Sequence, residues 1–284
     1  MKQLLFLFIC YIPLFLNAQY FEAGLSVGGS NYLGELSSNS SKIELGETNI
    51  AAGVFVRYNL HRFVTLRLHG NYTILSGEDS NSRNEAIASR NLSFQTNLYE
   101  VGLVGEFNLL GYQPYNYVSA FSPYLFGGIA IYKFDPQAEL DGQLYALQPL
   151  GTEGQNLEAF PERLPYELTQ LAVPFGFGFK YALSEDINIG FEIGGRKIFT
   201  DYLDDVSLTY PDQELFDRVE DNEIAGLLSD RNLVNQGSNG GAARGDTKAR
   251  DWYFISSFTI SYNFSDNGLI GGRKRGGKSG CVTF

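Results

Sequence analysis

The sequence predicts an all-β fold, a closed barrel of eight antiparallel strands that crosses an outer membrane. Three observations lead to this prediction: ~10-residue segments in which apolar and polar residues alternate, connections that are alternately short and long, and a surplus of glycine and aromatic residues. The 284-residue chain contains 32 Gly, 18 Tyr and 22 Phe but one Met and one Trp. This composition favours strands with aromatic girdles over helices.

The N-terminus has the pattern of a secretory signal. Lys2 precedes an apolar run from Leu4 to Leu16, and Ala18 is a small residue of the kind that a signal peptidase accepts. We therefore expect residues 1–18 to be a cleaved signal peptide. No later run approaches the ~18–20 apolar residues of a membrane helix, so the remaining chain is either a soluble exported protein or a barrel.

Eight segments alternate with a period of two, which is the period of a strand with one apolar and one polar face. The clearest are INIGFEIGG at 187–195, FVTLRLHGNYTI at 63–74 and WYFISSFTISYNF at 252–264. Weaker patterns occur near 20–30, 49–58, 94–108, 121–134 and 168–182. Residues 19–264 are therefore predicted to form one barrel domain.

The connections between these segments differ in length on the two sides of the predicted barrel. Those at 59–62, 109–120 and 183–186 are short or moderate, whereas those at 31–48, 76–93, 135–167 and 200–251 are long and polar. Short turns on one side, long loops on the other and both termini on the short side are typical of an OmpA-like outer-membrane barrel with periplasmic termini. A lumen of eight strands is filled by side chains, which disfavours a pore.

Charged residues of both signs fall on the predicted inner face. They are Glu22, Arg57, Arg67, His69, Glu100, Glu106, Lys180, Glu192 and Arg196. We expect them to pair as interior packing, because an isolated buried charge is costly; a proton or ion path is the alternative. A soluble lipocalin-like barrel would place its apolar face inside and would not explain the aromatic stripe of residues 252–264.

No residue pattern predicts a catalytic, cofactor or metal site. His61 lies in a short turn and His69 faces the lumen, so neither is well placed for a lipid-modifying enzyme. Asp201, Asp204 and Asp205 could hold calcium, but their spacing does not match an EF-hand, which favours a solvated acidic loop. Residues 212–233 of the same loop are compatible with a helix.

The segment EAGLSVGGSNYLGEL, residues 22–36, resembles the N-terminal signature of PorG, the outer-membrane barrel of the type IX protein secretion system of Bacteroidetes. The layout of signal peptide, strands, long outer loops and tail resembles that family as well. The resemblance implies a non-enzymatic accessory part of the secretion machinery, which exports motility adhesins in gliding members. It also implies association with the periplasmic ring of the lipoprotein PorK and its partner PorN.

The C-terminal segment 265–284 is predicted to be a flexible basic tail in the periplasm. Its basic residues and its thiol are the predicted partner-binding residues: Arg273, Lys274, Arg275, Lys278 and Cys281. A cysteine left alone in an exported chain suggests an intermolecular disulfide or a reactive thiol. Three alternatives stay open: docking on a ring subunit with a disulfide at Cys281, an incidental thiol on a disordered tail, and attraction to anionic lipid headgroups.

The predicted function is therefore a structural outer-membrane component of type IX secretion and gliding, docked to the periplasmic ring through its tail. A net charge of −11 disfavours nucleic-acid partners, and outer-membrane lipid is the expected surroundings. Two other functions stay open. A generic envelope or binding barrel would act through its loops, and a lipid-modifying enzyme would depend on His69.

Overall fold

Ten strands form one continuous antiparallel sheet in the computed structural model, which describes residues 20–37, 45–113, 120–219, 222–246 and 250–264. Their bounds are β1 Tyr20–Leu33, β2 Asn49–His61, β3 Val64–Glu78, β4 Ser93–Asn108, β5 Phe121–Lys133, β6 Pro136–Leu140, β7 Gln143–Ala146, β8 Thr169–Ala182, β9 Ile187–Ile198 and β10 Trp252–Phe264. All eight predicted segments are strands. None of the helices in the described ranges is long and apolar enough to cross a membrane.

Eight of the strands close into a barrel. Its order is β1–β2–β3–β4–β5–β8–β9–β10, and β10 pairs with β1, where Phe21 lies opposite Phe264 and Leu33 opposite Trp252. The closed ring leaves no unpaired strand edge around the wall, as a sheet in a bilayer requires. The predicted eight-stranded antiparallel barrel is thus confirmed.

The pleat separates the two faces as the sequence predicts. Large apolar side chains on the outer face are exposed, including Leu25, Val54, Leu68, Val101, Ile129, Phe177, Ile189, Phe258 and Ile260. All nine charged residues predicted for the inner face are buried in the lumen. A polar interior with an apolar exterior is the arrangement of a transmembrane barrel of the outer-membrane class, and it excludes the lipocalin alternative.

The two ends of the barrel differ. At one end the chain passes between β2 and β3 and between β8 and β9 through turns of a few residues, and Phe21 and Phe264 lie at this same end. At the other end, the segments 34–48, 79–92, 134–168 and 199–251 connect the strands. We call this second end the rim, and the four long loops above it the cap.

The cap is folded. A hairpin of β6 and β7 extends the sheet from β4, and its turn at Asp141 and Gly142 has φ values of 52° and 80°. An Asp-Gly pair at two positive φ angles is a strong local signal for such a hairpin, and the prediction of a plain loop there missed it. The cap also contains the short helices α1 Glu85–Arg90, α2 Leu147–Leu150, α3 Gln213–Asp217 and α4 Glu223–Ser229.

The helix-compatible segment 212–233 therefore forms two short helices, α3 and α4, instead of one. Glu214 and Arg218 make the expected i,i+4 pair at 3.4 Å between Oε2 and Nη2. Leu228 is buried, and Ile224 packs against the same hydrophobic cluster, which continues through the rim to Leu98 and Tyr253 of the barrel. The cap and the upper lumen thus share one core.

Candidate functional site

The lower lumen is held by one glutamate that contacts three cations. Glu106 on β4 lies 2.8 Å from Arg57 Nε, 3.3 Å from Arg67 Nε and 2.9 Å from Lys180 Nζ. Arg57 and Arg67 lie directly opposite each other on β2 and β3, where two like charges repel. Glu106 between them, together with Glu22 at 2.6 Å from Arg57 Nη1, offsets that repulsion.

A second group fills the lumen below the rim around Glu100. Its carboxylate accepts hydrogen bonds from the Tyr253 hydroxyl at 2.6 Å, the Asn71 amide at 2.7 Å and Arg196 Nε at 3.2 Å. His69 Nε2 lies 3.0 Å from the same carboxylate. Paired charges and polar contacts occupy the lumen, which supports the interpretation of interior packing.

The two histidines lie where the sequence places them. His61 ends β2 in an exposed turn at the end opposite the rim, and His69 is buried against Glu100 inside the lumen. His69 is therefore separated from the lipid-facing surface by the barrel wall. This position does not fit attack on a membrane lipid, since a general base must reach the reacting group.

The cap has its own buried ion pairs. Arg244 Nη1 lies 3.2 Å from Glu153 Oε1, and Arg244 Nε donates to the Ser229 carbonyl at 3.1 Å. Arg90 binds both carboxylate oxygens of Asp79 at 2.7 Å. Arg90 also donates to the Arg244 carbonyl at 2.6 Å and to the Glu35 carbonyl at 3.1 Å, so contacts between different loops hold the cap together as one packed unit over the barrel.

Asp201, Asp204 and Asp205 do not form a solvated acidic loop, and that expectation is wrong. Asp204 and Asp205 are buried and Asp201 is half-buried. The carboxylates of Asp204 and Asp205 have different partners: Asp205 accepts a hydrogen bond from Tyr166 at 2.8 Å, whereas Asp204 accepts one from Tyr32 at 2.6 Å. Packing of the loop against the rim removes them from water.

Four carboxyl groups instead meet at the rim, in what we call the rim cluster: Glu35, Asp201, Asp204 and Asp251. Glu35 follows β1, Asp201 and Asp204 follow β9, and Asp251 directly precedes β10. Carboxylate oxygens of Glu35, Asp201 and Asp251 lie within 4.8 Å of one another. Asp204 and Asp251 both approach the Tyr32 hydroxyl, at 2.6 and 2.7 Å. No Lys or Arg of the described ranges makes an ion pair with any of the four.

Burial and crowding raise the pKa values of these four carboxyl groups. Burial, followed by the charges of Asp204 and Asp201, raises the pKa of Glu35 to about 8. Burial raises the pKa of Asp201 to about 7 and that of Asp204 to about 7. Burial and the charges of Asp204 and Glu35 raise the pKa of Asp251 well above its usual range. Near neutral pH the cluster therefore needs protons or a cation.

The sequence prediction missed the rim cluster as a unit. Glu35 and Asp251 are far apart in the chain, and only the closure of the barrel through β1 and β10 brings them together. The available signal was that the residues after the first strand and before the last must be neighbours once these strands pair. The predicted partner-binding residues Arg273, Lys274, Arg275, Lys278 and Cys281 and the signal peptide 1–18 lie outside the described residues.

Comparison with known proteins gives a family and a set of similar folds. The model of a family described as a domain of unknown function (DUF6089) matches residues 1–225. No curated protein matches the chain. Similar solved structures include the N-terminal β-barrel domain of Pseudomonas aeruginosa OprF, which is 11% identical with a TM-score of 0.37 and covers 87% of this chain and 98% of its own.

Two further similar structures are a neisserial surface protein and an outer-membrane enzyme. Neisserial surface protein A (NspA) is 11% identical with a TM-score of 0.39 and covers 87% of this chain and 97% of its own. The outer membrane enzyme PagL is 12% identical with a TM-score of 0.31 and covers 86% of this chain and 98% of its own.

Proposed function

Since this chain belongs to the DUF6089 family and folds as an outer-membrane barrel, we propose that it is a non-enzymatic component of a type IX secretion apparatus. The observation that carries the proposal is the segment 22–36, EAGLSVGGSNYLGEL, which resembles the PorG signature. In the fold this segment is β1 and its exit into the rim. It therefore lies where the wall of the barrel joins the cap.

The filled lumen favours a structural role over transport. Glu106 and Glu100 hold their cationic and polar partners across the interior, and the lumen of an eight-stranded barrel is about as wide as its inward side chains fill. A secreted protein would have to take another route. The contribution of this barrel to secretion would then be to anchor or organise other components.

The position of the last strand supports a periplasmic tail. Phe264 ends β10 beside Phe21, at the end of the barrel with the short turns. In outer-membrane barrels the short turns face the periplasm and the long loops face outward. Segment 265–284 would then begin at the periplasmic surface. Twenty residues span at most about 65–70 Å, which suffices to meet a ring beneath the membrane.

The chemistry of the tail suggests how it would dock. Arg273, Lys274, Arg275 and Lys278 would pair with an acidic surface of a PorK-like or PorN-like ring subunit. Cys281 would form a disulfide with that subunit, because the periplasm is oxidising and the predicted mature chain has no second cysteine.

The test compares wild type, Cys281→Ser and a deletion of residues 265–284 in native cells. Non-reducing gels of outer membranes should show a heavier adduct that reductant collapses and that Cys281→Ser lacks, and mass spectrometry identifies the partner. The deletion should keep the barrel folded and lose type IX secretion. A monomer in every lane rejects the disulfide, and intact secretion after the deletion rejects the docking role.

A second candidate function is that of an envelope or binding barrel that acts through its cap. The observation that favours it is the packed cap itself, in which Arg244, Glu153 and Asp79 are buried. A rigid outer surface is suited to recognition. In that case removal of the whole gene would leave secretion intact.

A further inference from the structure

We propose that Glu35, Asp201 and Asp251 form a binding site for one Ca²⁺ ion where the cap meets the barrel. The site is independent of the secretion role. It would join the exit of β1 to both ends of the longest cap loop, 199–251.

The spacing of the oxygens fits calcium. Ca²⁺ binds oxygen ligands at roughly 2.3–2.6 Å, so two ligands on opposite sides of one ion lie about 4.8 Å apart. Carboxylate oxygens of the three residues lie within 4.8 Å of one another, so one ion can reach all three. Mg²⁺ demands shorter bonds of about 2.0–2.1 Å and a stricter octahedron. The flexible coordination of Ca²⁺ suits carboxylates from separate chain segments better than the strict octahedron of Mg²⁺.

Two carboxylate oxygens of the cluster residues lack the partners that buried polar groups require. Glu35 Oε2 and Asp201 Oδ1 are inaccessible to solvent and have no hydrogen-bond donor within the described ranges. Tyr32 has one hydroxyl proton, yet Asp204 Oδ2 and Asp251 Oδ1 lie 2.6 and 2.7 Å from its oxygen. When both carboxylates are ionised, one of these two oxygens is therefore left without a proton donor, while the other oxygen of each residue accepts a backbone amide, that of Val206 or Leu203.

A further hydroxyl, from outside the acidic cluster, makes the same point. Tyr132 on β5 is 0% exposed, and its hydroxyl has no hydrogen-bond partner among the described residues. Its ring lies 5.9 Å from the ring of Tyr253, two residues after Asp251, which places Tyr132 below the rim cluster. A buried hydroxyl without a partner calls for a ligand, because such groups are nearly always satisfied.

The nearest cationic side chains are committed elsewhere. Arg90 donates to both oxygens of Asp79 and to the backbone carbonyls of Glu35 and Arg244, which uses four of its five N–H donors. Arg250 is exposed and lies over the Phe199 ring. Arg90 and Arg250 thus act on the rim cluster only at longer range, and neither makes an ion pair with it among the described residues, which leaves carboxylate oxygens available to a hard cation.

Binding should be measured on the full chain refolded in detergent and freed of metal with EDTA. CaCl₂ and, separately, MgCl₂ are titrated by calorimetry at pH 8. The variants are Asp201→Asn and Glu35→Gln, and the matched control is Glu162→Gln, which removes an exposed carboxylate from the same cap. Circular dichroism checks that each protein is folded, and two ligand variants are used in case one fails to fold.

We expect one Ca²⁺ per chain, bound more tightly than Mg²⁺, and at least tenfold weaker binding in either ligand variant with no change in Glu162→Gln. Calcium should also raise the unfolding temperature of the wild type, since a ligand that binds only the folded state stabilises it. The absence of Ca²⁺ binding by the folded wild type overturns the site. Equal weakening in Glu162→Gln, or equal affinity for Mg²⁺, overturns its assignment to these residues or to calcium.

Discussion

The lumen and the rim differ in how their buried carboxyl groups are paired. In the lumen Glu22, Glu100, Glu106 and Glu192 each contact a cationic side chain or His69, with Glu192 Oε2 2.5 Å from Arg67 Nη1. At the rim, four carboxyl groups gather without an ion pair to any Lys or Arg of the described ranges. The lumen charges neutralise one another and fix the barrel wall. The rim cluster has an excess of negative charge and is therefore able to bind a cation.

The largest expected effect is at the centre of the lumen network. Glu106→Gln removes the charge that pairs with Arg57, Arg67 and Lys180. Because buried Lys180 loses its carboxylate partner, while Arg57 and Arg67 keep Glu22 and Glu192, we expect the free energy of unfolding to fall by about 3–5 kcal/mol. Urea unfolding of the refolded full chain measures it. Glu139→Gln, an exposed cap residue, is the control, and equal stability of the two variants would show that the lumen charges are not coupled.

A smaller and local effect is expected in the cap. Arg244→Met leaves Glu153 and Asp205 buried without their cation. We expect the free energy needed to open the 199–251 loop to fall by about 3 kcal/mol. The barrel should stay folded, because the ion pairs inside it are unchanged. Hydrogen exchange should rise in this loop alone. Arg218→Met, which breaks only the exposed pair with Glu214, is the control; exchange that rises throughout β1–β10 would contradict a separable cap.

The same contrast shows which buried residues can be predicted from the sequence and which cannot. The period of two assigns residues such as Arg57 and Glu192 to the lumen correctly, because the pleat fixes which face each side chain takes. Burial of Asp204 and Asp205 was not predictable in this way. It depends on how a long loop folds back on residues such as Tyr166, a contact that no local pattern encodes.

At the rim, we expect Asp204→Asn to change the free energy of unfolding in the opposite direction to Glu106→Gln. In EDTA, Asp204→Asn can still accept from the Val206 amide and can donate to Tyr32, which leaves the Tyr32 proton for Asp251. At pH 8 we expect the variant to be more stable by about 1–2 kcal/mol. A carboxyl-to-amide change would then stabilise the rim although Glu106→Gln destabilises the lumen.

The pH dependence of wild-type stability follows from the direction of the pKa shift of Asp204. Burial raises the pKa of Asp204 from 3.8 to about 7, so the folded state holds a proton that the unfolded state has lost between these values. The stability of the wild type should therefore fall as pH rises from about 4 to about 7, and that slope should be smaller in Asp204→Asn. Urea midpoints at pH 4, 6 and 8 test this. Parallel slopes would mean that Asp204 titrates normally.

The smallest expected change in stability comes from comparing two buried tyrosines, Tyr253 and Tyr132. Tyr253 donates to Glu100 at 2.6 Å, whereas the Tyr132 hydroxyl has no hydrogen-bond partner in the described part of the chain. In EDTA, Tyr253→Phe should cost about 1.5–3 kcal/mol, because a buried carboxylate loses a donor. Tyr132→Phe should change stability by less than about 0.5 kcal/mol, because no hydrogen bond is lost. A loss in Tyr132→Phe as large as that in Tyr253→Phe would show that the Tyr132 hydroxyl is already satisfied by the protein without a ligand.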